Sequence, residues 1–129
     1  MTEAELKAEL CAEGRLRLPG WEIIRHEDLF THGIPDMTFT GAGKTTWIEA
    51  KHATPGFKVK GIQKHRMKRL ALAGNAFFLV YWEKGTVKRT YIVAPKDIDL
   101  GPVEWTTFTE GFDHTWVLRY LWRLHGNND

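Results

Sequence analysis

Cysteine is almost missing from this chain, with Cys11 the single one among 129 residues. One thiol cannot build an internal disulfide framework, and it fits a reducing cytosol. No Cys/His group has zinc-ligand spacing: the six histidines are scattered, and His26 and His65 are the two worth testing. No apolar run is long enough to span a bilayer. The chain does not open on the charged-then-apolar pattern of a secretory leader, so a leader is not expected. Internal repeats and low-complexity tracts are also missing. Net charge is only +2, so no global excess of one sign points to a polyanionic partner. The most telling absence is local. From Glu49 to Glu83 no acidic residue intervenes, while the same stretch carries Lys51, Lys58, Lys60, Lys64, Arg66, Lys68 and Arg69, with His52 and His65. Such a tract attracts phosphate backbones, the ordinary alternative being a solvated basic helix face.

What is present reads as one globular domain over residues 1–129, large enough to bury a core. Thr2-Glu3-Ala4-Glu5 has the form of a capping box, and Leu6 and Leu10 mark a helical face. That helix ends at Gly14 or runs on towards Leu18 before Pro19-Gly20, and Arg15 to Leu18 would also suit a short strand. Trp21–Arg25, Pro35–Thr40 and Thr46–Lys51 are strand candidates. Ala53–Lys60 is a crossing, and Gly61–Ala73 has helical spacing. Ala76–Trp82 is continuously apolar, as a strand buried on both faces would be. Lys88–Val93 follows through a turn at Gly85, Pro95–Trp105 is loop-like, and Phe112–His125 is a final helix. Trp116, Val117, Tyr120, Leu121 and Leu124 gather on one side of that helix, where they either cover the sheet or form a homodimer interface. Gly126–Asp129 is expected to fray.

Chemistry concentrates in Gly33-Ile34-Pro35-Asp36 and Glu49-Ala50-Lys51. With Gly41-Ala42-Gly43-Lys44 as the turn and Thr40 opposite Thr45, Thr38 faces Trp47 and Asp36 faces Glu49. Cβ atoms directly opposite in an antiparallel pair are about 4.5–5.5 Å apart, close enough for one cation to bridge two carboxylates. Side chains alternate along a strand, so Lys51 shares the face of Glu49. The Ala50 carbonyl is a further candidate ligand. A register slip of one residue would destroy the arrangement, leaving a plain hairpin with solvated charges. Gln63 falls in the apolar stripe of the following helix, in line with Met67, Leu70 and Gly74. A polar amide in that position needs a partner, and the carboxylates lie at the end of the sheet it would reach; a capping or loop-bonding glutamine is the alternative. Gly41-Ala42-Gly43-Lys44-Thr45-Thr46 ends like a phosphate-binding loop, but the first glycine of that pattern should stand where Thr38 does, and strands flank it on both sides.

Gly-Ile-Pro-Asp, Glu-Ala-Lys and a helix opening with Gln63 together resemble the PD-(D/E)XK nuclease superfamily, in particular its small VRR-Nuc and Holliday-junction-resolvase-like branch. The resemblance covers roughly residues 3–83. It implies an α/β, restriction-endonuclease-like αβββαβ core, a mixed sheet flanked by helices, with an extra strand and helix over residues 84–125. It also implies an Mg²⁺- or Mn²⁺-dependent endodeoxyribonuclease. In that scheme Asp36 and Glu49 hold the metal, Lys51 orients water or stabilises charge, and Gln63 is the branch's helix glutamine. Many members add a first-helix glutamate, for which Glu3, Glu5, Glu9 and Glu13 compete here. The expected partner is branched or duplex DNA, met by Lys58, Lys60, Lys64, Arg66 and Lys68. Cutting is expected to be structure-selective or non-specific. Size and absence of appended domains are reminiscent of phage nucleases, hence a cytoplasmic protein of a prokaryotic or phage-infected cell. The rivals are a catalytically idle nuclease-like module that binds nucleic acid, and an RNA-directed nuclease.

Overall fold

The computed structural model describes residues 1–26 and 34–127. Gly33, part of the Gly-Ile-Pro-Asp run, and the last two residues of the expected frayed end lie outside them. Chain order is α1 (Glu3–Arg17), β1 (Glu22–Arg25), β2 (Met37–Gly41), β3 (Lys44–Ala53), α2 (Gly61–Ala73), β4 (Asn75–Lys84), β5 (Val87–Val93), a 3₁₀ turn (Pro95–Leu100), β6 (Phe108–Glu110) and α3 (His114–Leu124). The six strands form one sheet in sequence order. Only β3 and β4 run parallel, with Thr46 opposite Asn75 and Ala53 opposite Trp82. The connection between them is α2, as a parallel pair requires a crossover. The result is an α/β fold with a mixed sheet between helices.

Alternation along β3 divides the molecule. Thr46, Ile48 and Ala50 are fully buried. Ile48 and Ala50 join Leu6, Leu10 and Cys11 of α1 and Val117, Leu118 and Leu121 of α3 in one apolar cluster. Trp47, Glu49 and Lys51 point to the other face. There α2 and the 3₁₀ turn build a second cluster from Met67, Phe78, Val80, Tyr91, Ile98 and Trp105. Phe77 through Tyr81 are all buried, because β4 has one cluster on each face.

The turn from β2 to β3 is tighter than a four-residue loop. Gly41 pairs with Lys44, and Ala42 and Gly43 take φ of 52° and 78°, the left-handed pair that two-residue hairpins use. Thr38 faces Trp47 and Thr40 faces Thr45, the register expected from the sequence.

Of the alternatives open for the first helix, the structure takes the longer: α1 continues through Gly14 to Arg17 and leaves no short strand there. A Cβ on Gly14 would stand 2.7 Å from Ile23 Cδ1 and 2.9 Å from Phe39 Cε2, so the glycine serves close packing of helix on sheet. The segment after Pro95 contains a 3₁₀ turn, and β6 is a short edge strand on β5. Helix α3 starts two residues after Phe112, because the Asp113 side chain accepts from the Trp116 amide and caps it. Trp116 and Tyr120 of α3 lie partly buried against the first cluster.

Candidate active site

β3 outruns β2. Pairing between them stops at Met37 opposite Ile48, whereas β3 continues to Ala53. The amides of Ala50 and His52, on the side β2 has vacated, would otherwise lack partners. Carboxylates take them: Ala50 N–H donates to Asp36 Oδ2 at 2.9 Å, and His52 N–H donates to Glu3 Oε2 at 3.0 Å. The Asp36 amide in turn donates to Glu49 Oε1 at 3.2 Å. Asp36 is thereby fixed through both its backbone and its side chain, one residue beyond the end of β2 and directly across from Glu49.

Each carboxylate has its own cation. Lys7 Nζ lies 3.3 Å from Asp36 Oδ1, and Lys51 Nζ lies 3.2 Å from Glu49 Oε2. Gln63 Nε2 donates to the same Glu49 oxygen at 3.2 Å. The first turn of α2 is thus tied to the sheet, and this is the partner a glutamine inside an apolar stripe requires.

Glu49 is 3% exposed. Burial first, and the Asp36 charge second, push its pKa up to about 7, with Lys51 pulling the other way. A carboxylate in this position is short of positive charge even with its lysine in place. The donors are hard oxygens, the type that suits Mg²⁺ or Mn²⁺. Among the described residues no three His, Cys, Asp or Glu side chains gather as a metal set. The fit is therefore to two carboxylates and a backbone carbonyl, with water completing the shell, as Mg²⁺ commonly accepts.

The four glutamates of α1 separate clearly. Glu3 reaches the His52 amide. Glu5 closes the capping box with Thr2. Glu9 accepts from His114, and Glu13 pairs with Arg17. Lys7 was not singled out in the sequence. The available signal was its position one helical turn after Glu3, on the same face.

The basic tract divides around α2. Lys64 pairs with Asp99 at 3.1 Å, so the stretch is free of acid in sequence but not in space. Lys68 lies on the same side, beside Lys96 and Asp97 in a cleft of about 610 Å³. Lys58 and Lys60 are exposed in the crossing, and Arg66 and His65 are exposed on α2. His26 stacks on Trp47, with ring centroids 5.5 Å apart and ring planes 22° apart.

No family model matches this chain, and none of the curated proteins does. The fold does match solved structures. One of them is the 1.6 Å structure of Hjc, a Holliday junction resolvase from the archaeal hyperthermophile Archaeoglobus fulgidus, at a TM-score of 0.53 and 13% identity. The match covers 95% of this chain and 99% of that one. At that identity the similarity speaks for the architecture, a restriction-endonuclease-like α/β fold.

Proposed function

We propose that the protein is a divalent-metal-dependent nuclease that hydrolyses phosphodiester bonds in DNA. One observation carries the reading: Asp36 and Glu49 face each other where β2 stops, with Lys51 and Gln63 both on Glu49. The fold shared with a Holliday junction resolvase supports branched or duplex DNA as the substrate.

Asp36 and Glu49 would hold Mg²⁺ or Mn²⁺. The Ala50 carbonyl is the third ligand in this reading, because the N–H and C=O of one strand residue point to the same side and the Ala50 N–H points at Asp36. The metal supplies Lewis acidity towards a phosphate oxygen and lowers the pKa of bound water. The chain's own residues do the rest. Lys51 places a positive charge beside the site, suited to the charge that develops on phosphorus oxygens. Gln63 holds the Glu49 carboxylate in one orientation. Lys7 and the Ala50 amide do the same for Asp36, and Glu3 secures the next amide of the strand.

The test is a cleavage panel in Mn²⁺ over single-stranded, duplex, flap and four-way-junction DNA. The parent should cut at least one of them, and Asp36→Asn and Lys51→Ala should each lower the rate a hundredfold or more. A melting temperature that rises with Mn²⁺ in the parent but not in Asp36→Asn would show metal binding independently. Neither cleavage nor a metal effect would mean an idle binding module instead.

A further inference from the structure

The sheet face that carries Glu49 is covered by α2 over β3 and β4. Over β1 and β2, no helix among the described residues packs on that face. Its floor holds Thr38, Thr40, Thr45 and Trp47, with the Thr40 and Thr45 hydroxyls 2.8 Å apart. His26 lies on the same face. One of its ring nitrogens meets the Thr38 hydroxyl at 3.0 Å, and its plane stacks on the Trp47 indole. Trp47 and Glu49 are two residues apart on one strand face, roughly 7 Å along the chain. Both rings are half-buried, so an aromatic stack lies partly open beside the carboxylates.

One wall of this face, among the described residues, is basic. At about 100° per residue, Lys64, Lys68 and Ala71 lie to one side of Gln63. Lys64 meets Asp99 and Lys68 and Ala71 line the cleft beside Pro95, so that side faces β5. By the same spacing Arg66 and Arg69 lie to the opposite side of Gln63, the side away from β5. Both are exposed. Among the described residues, the acid on this floor besides Asp36 and Glu49 is Glu22, opposite Thr40, at the end farthest from Asp36.

We propose that the His26–Trp47 stack, walled by Arg66 and Arg69, binds an unpaired nucleobase of DNA next to the phosphate held at Asp36 and Glu49. The chemistry matches that of single-strand binding surfaces. Every base has a π face that continues a ring stack, and the arginines neutralise the backbone on either side. A base inside an intact duplex has no free face, so the stack favours gaps, flaps and junction centres. The proposal rests on the nuclease reading for the location of the phosphate.

The experiment uses the full chain in EDTA, so that nothing is cut. A gapped duplex carries 2-aminopurine in its single-stranded gap, and the uninterrupted duplex is the control. The parent should quench the 2-aminopurine and prefer the gapped DNA. Trp47→Leu should lose the quenching and weaken gap binding by about five- to a hundredfold, with duplex binding changed less than twofold. Trp47→Phe should restore most of both. Gap binding and quenching in Trp47→Leu equal to the parent's would overturn the proposal, as would a parent that shows neither quenching nor preference. Cleavage of the same DNAs in Mn²⁺ separates the two readings. Quenching without cleavage sinks the nuclease and leaves the stack; cleavage without quenching does the reverse.

Discussion

Glu49 is nearly sealed from water, yet it lies against Asp36. Its folded-state pKa of about 7 exceeds the ordinary carboxylate value of 4.5. A raised carboxylate pKa means that the folded state binds the proton more tightly. The stabilisation is then fully present below pH 4.5 and lost as pH rises through about 7. In metal-free protein the loss should be on the order of 3 kcal/mol, read as a fall in denaturant midpoint between about pH 4.5 and 7. Glu49→Gln should remove most of that slope; an unchanged slope would contradict the assignment. Mn²⁺ affinity should run oppositely, climbing with pH to about 7 and then levelling, because the metal must displace the proton. Lys51→Met removes the influence that lowers the Glu49 pKa, so the midpoint of that climb should move to higher pH. Asp36, Glu49 and Lys51 were legible as a trio because strand alternation and a short turn determine who faces whom. Lys7 and Glu3 were not, because four glutamates lie along α1 and the sequence does not say how the helix is rotated against the sheet.

At the scale of elements, the turn between β2 and β3 is anchored by the far end of the chain. His125 is buried. Its Nδ1 lies 2.8 Å from the Gly41 carbonyl and so donates to it. In the neutral ring Nε2 then accepts from the Thr46 hydroxyl, 2.7 Å away. Trp21 stacks on His125 with centroids 4.4 Å apart, and the same indole lies where a Cβ on Gly41 would be. Gly41→Ala should therefore cost about 1–3 kcal/mol through overpacking. His125→Ala should cost about 2–4 kcal/mol, since it strips a buried hydroxyl and a carbonyl of their partner. Both effects should appear as lower urea midpoints with an unchanged m-value. Helix α2 was readable to its ends because its stripe is regular and Gly74 follows it. The edge strand β6 was not: three residues are too few for an alternation pattern, and its pairing with β5 is a tertiary event.

For the whole molecule, charge placement matters more than charge total. DNA binding should weaken with salt, and each phosphate contact removed should reduce the slope of log affinity against log salt by about one. Lys60→Ala and Arg66→Ala should each show that loss in DNA titrations between low and moderate salt. Lys64→Ala should change the slope by less, because Asp99 already neutralises Lys64. Equal effects from all three would mean that DNA displaces Asp99. The acid-free stretch in the sequence could not reveal this difference, since Asp99 approaches α2 only through the turn after β5.

The sequence by itself determined which residues alternate, where the chain turns, and hence that Asp36 meets Glu49 with Lys51 on the same side; for Gln63 it set only a place in the stripe of α2. These are short-range consequences of strand and helix periodicity, and they need no knowledge of the remaining molecule. Tertiary structure decided which first-helix residues reach the sheet and how the basic residues divide around α2. It also placed the His26–Trp47 stack on the sheet face that carries Glu49. Those outcomes depend on how elements rotate and stack against one another, and packing across the two apolar clusters sets that, not spacing along the chain.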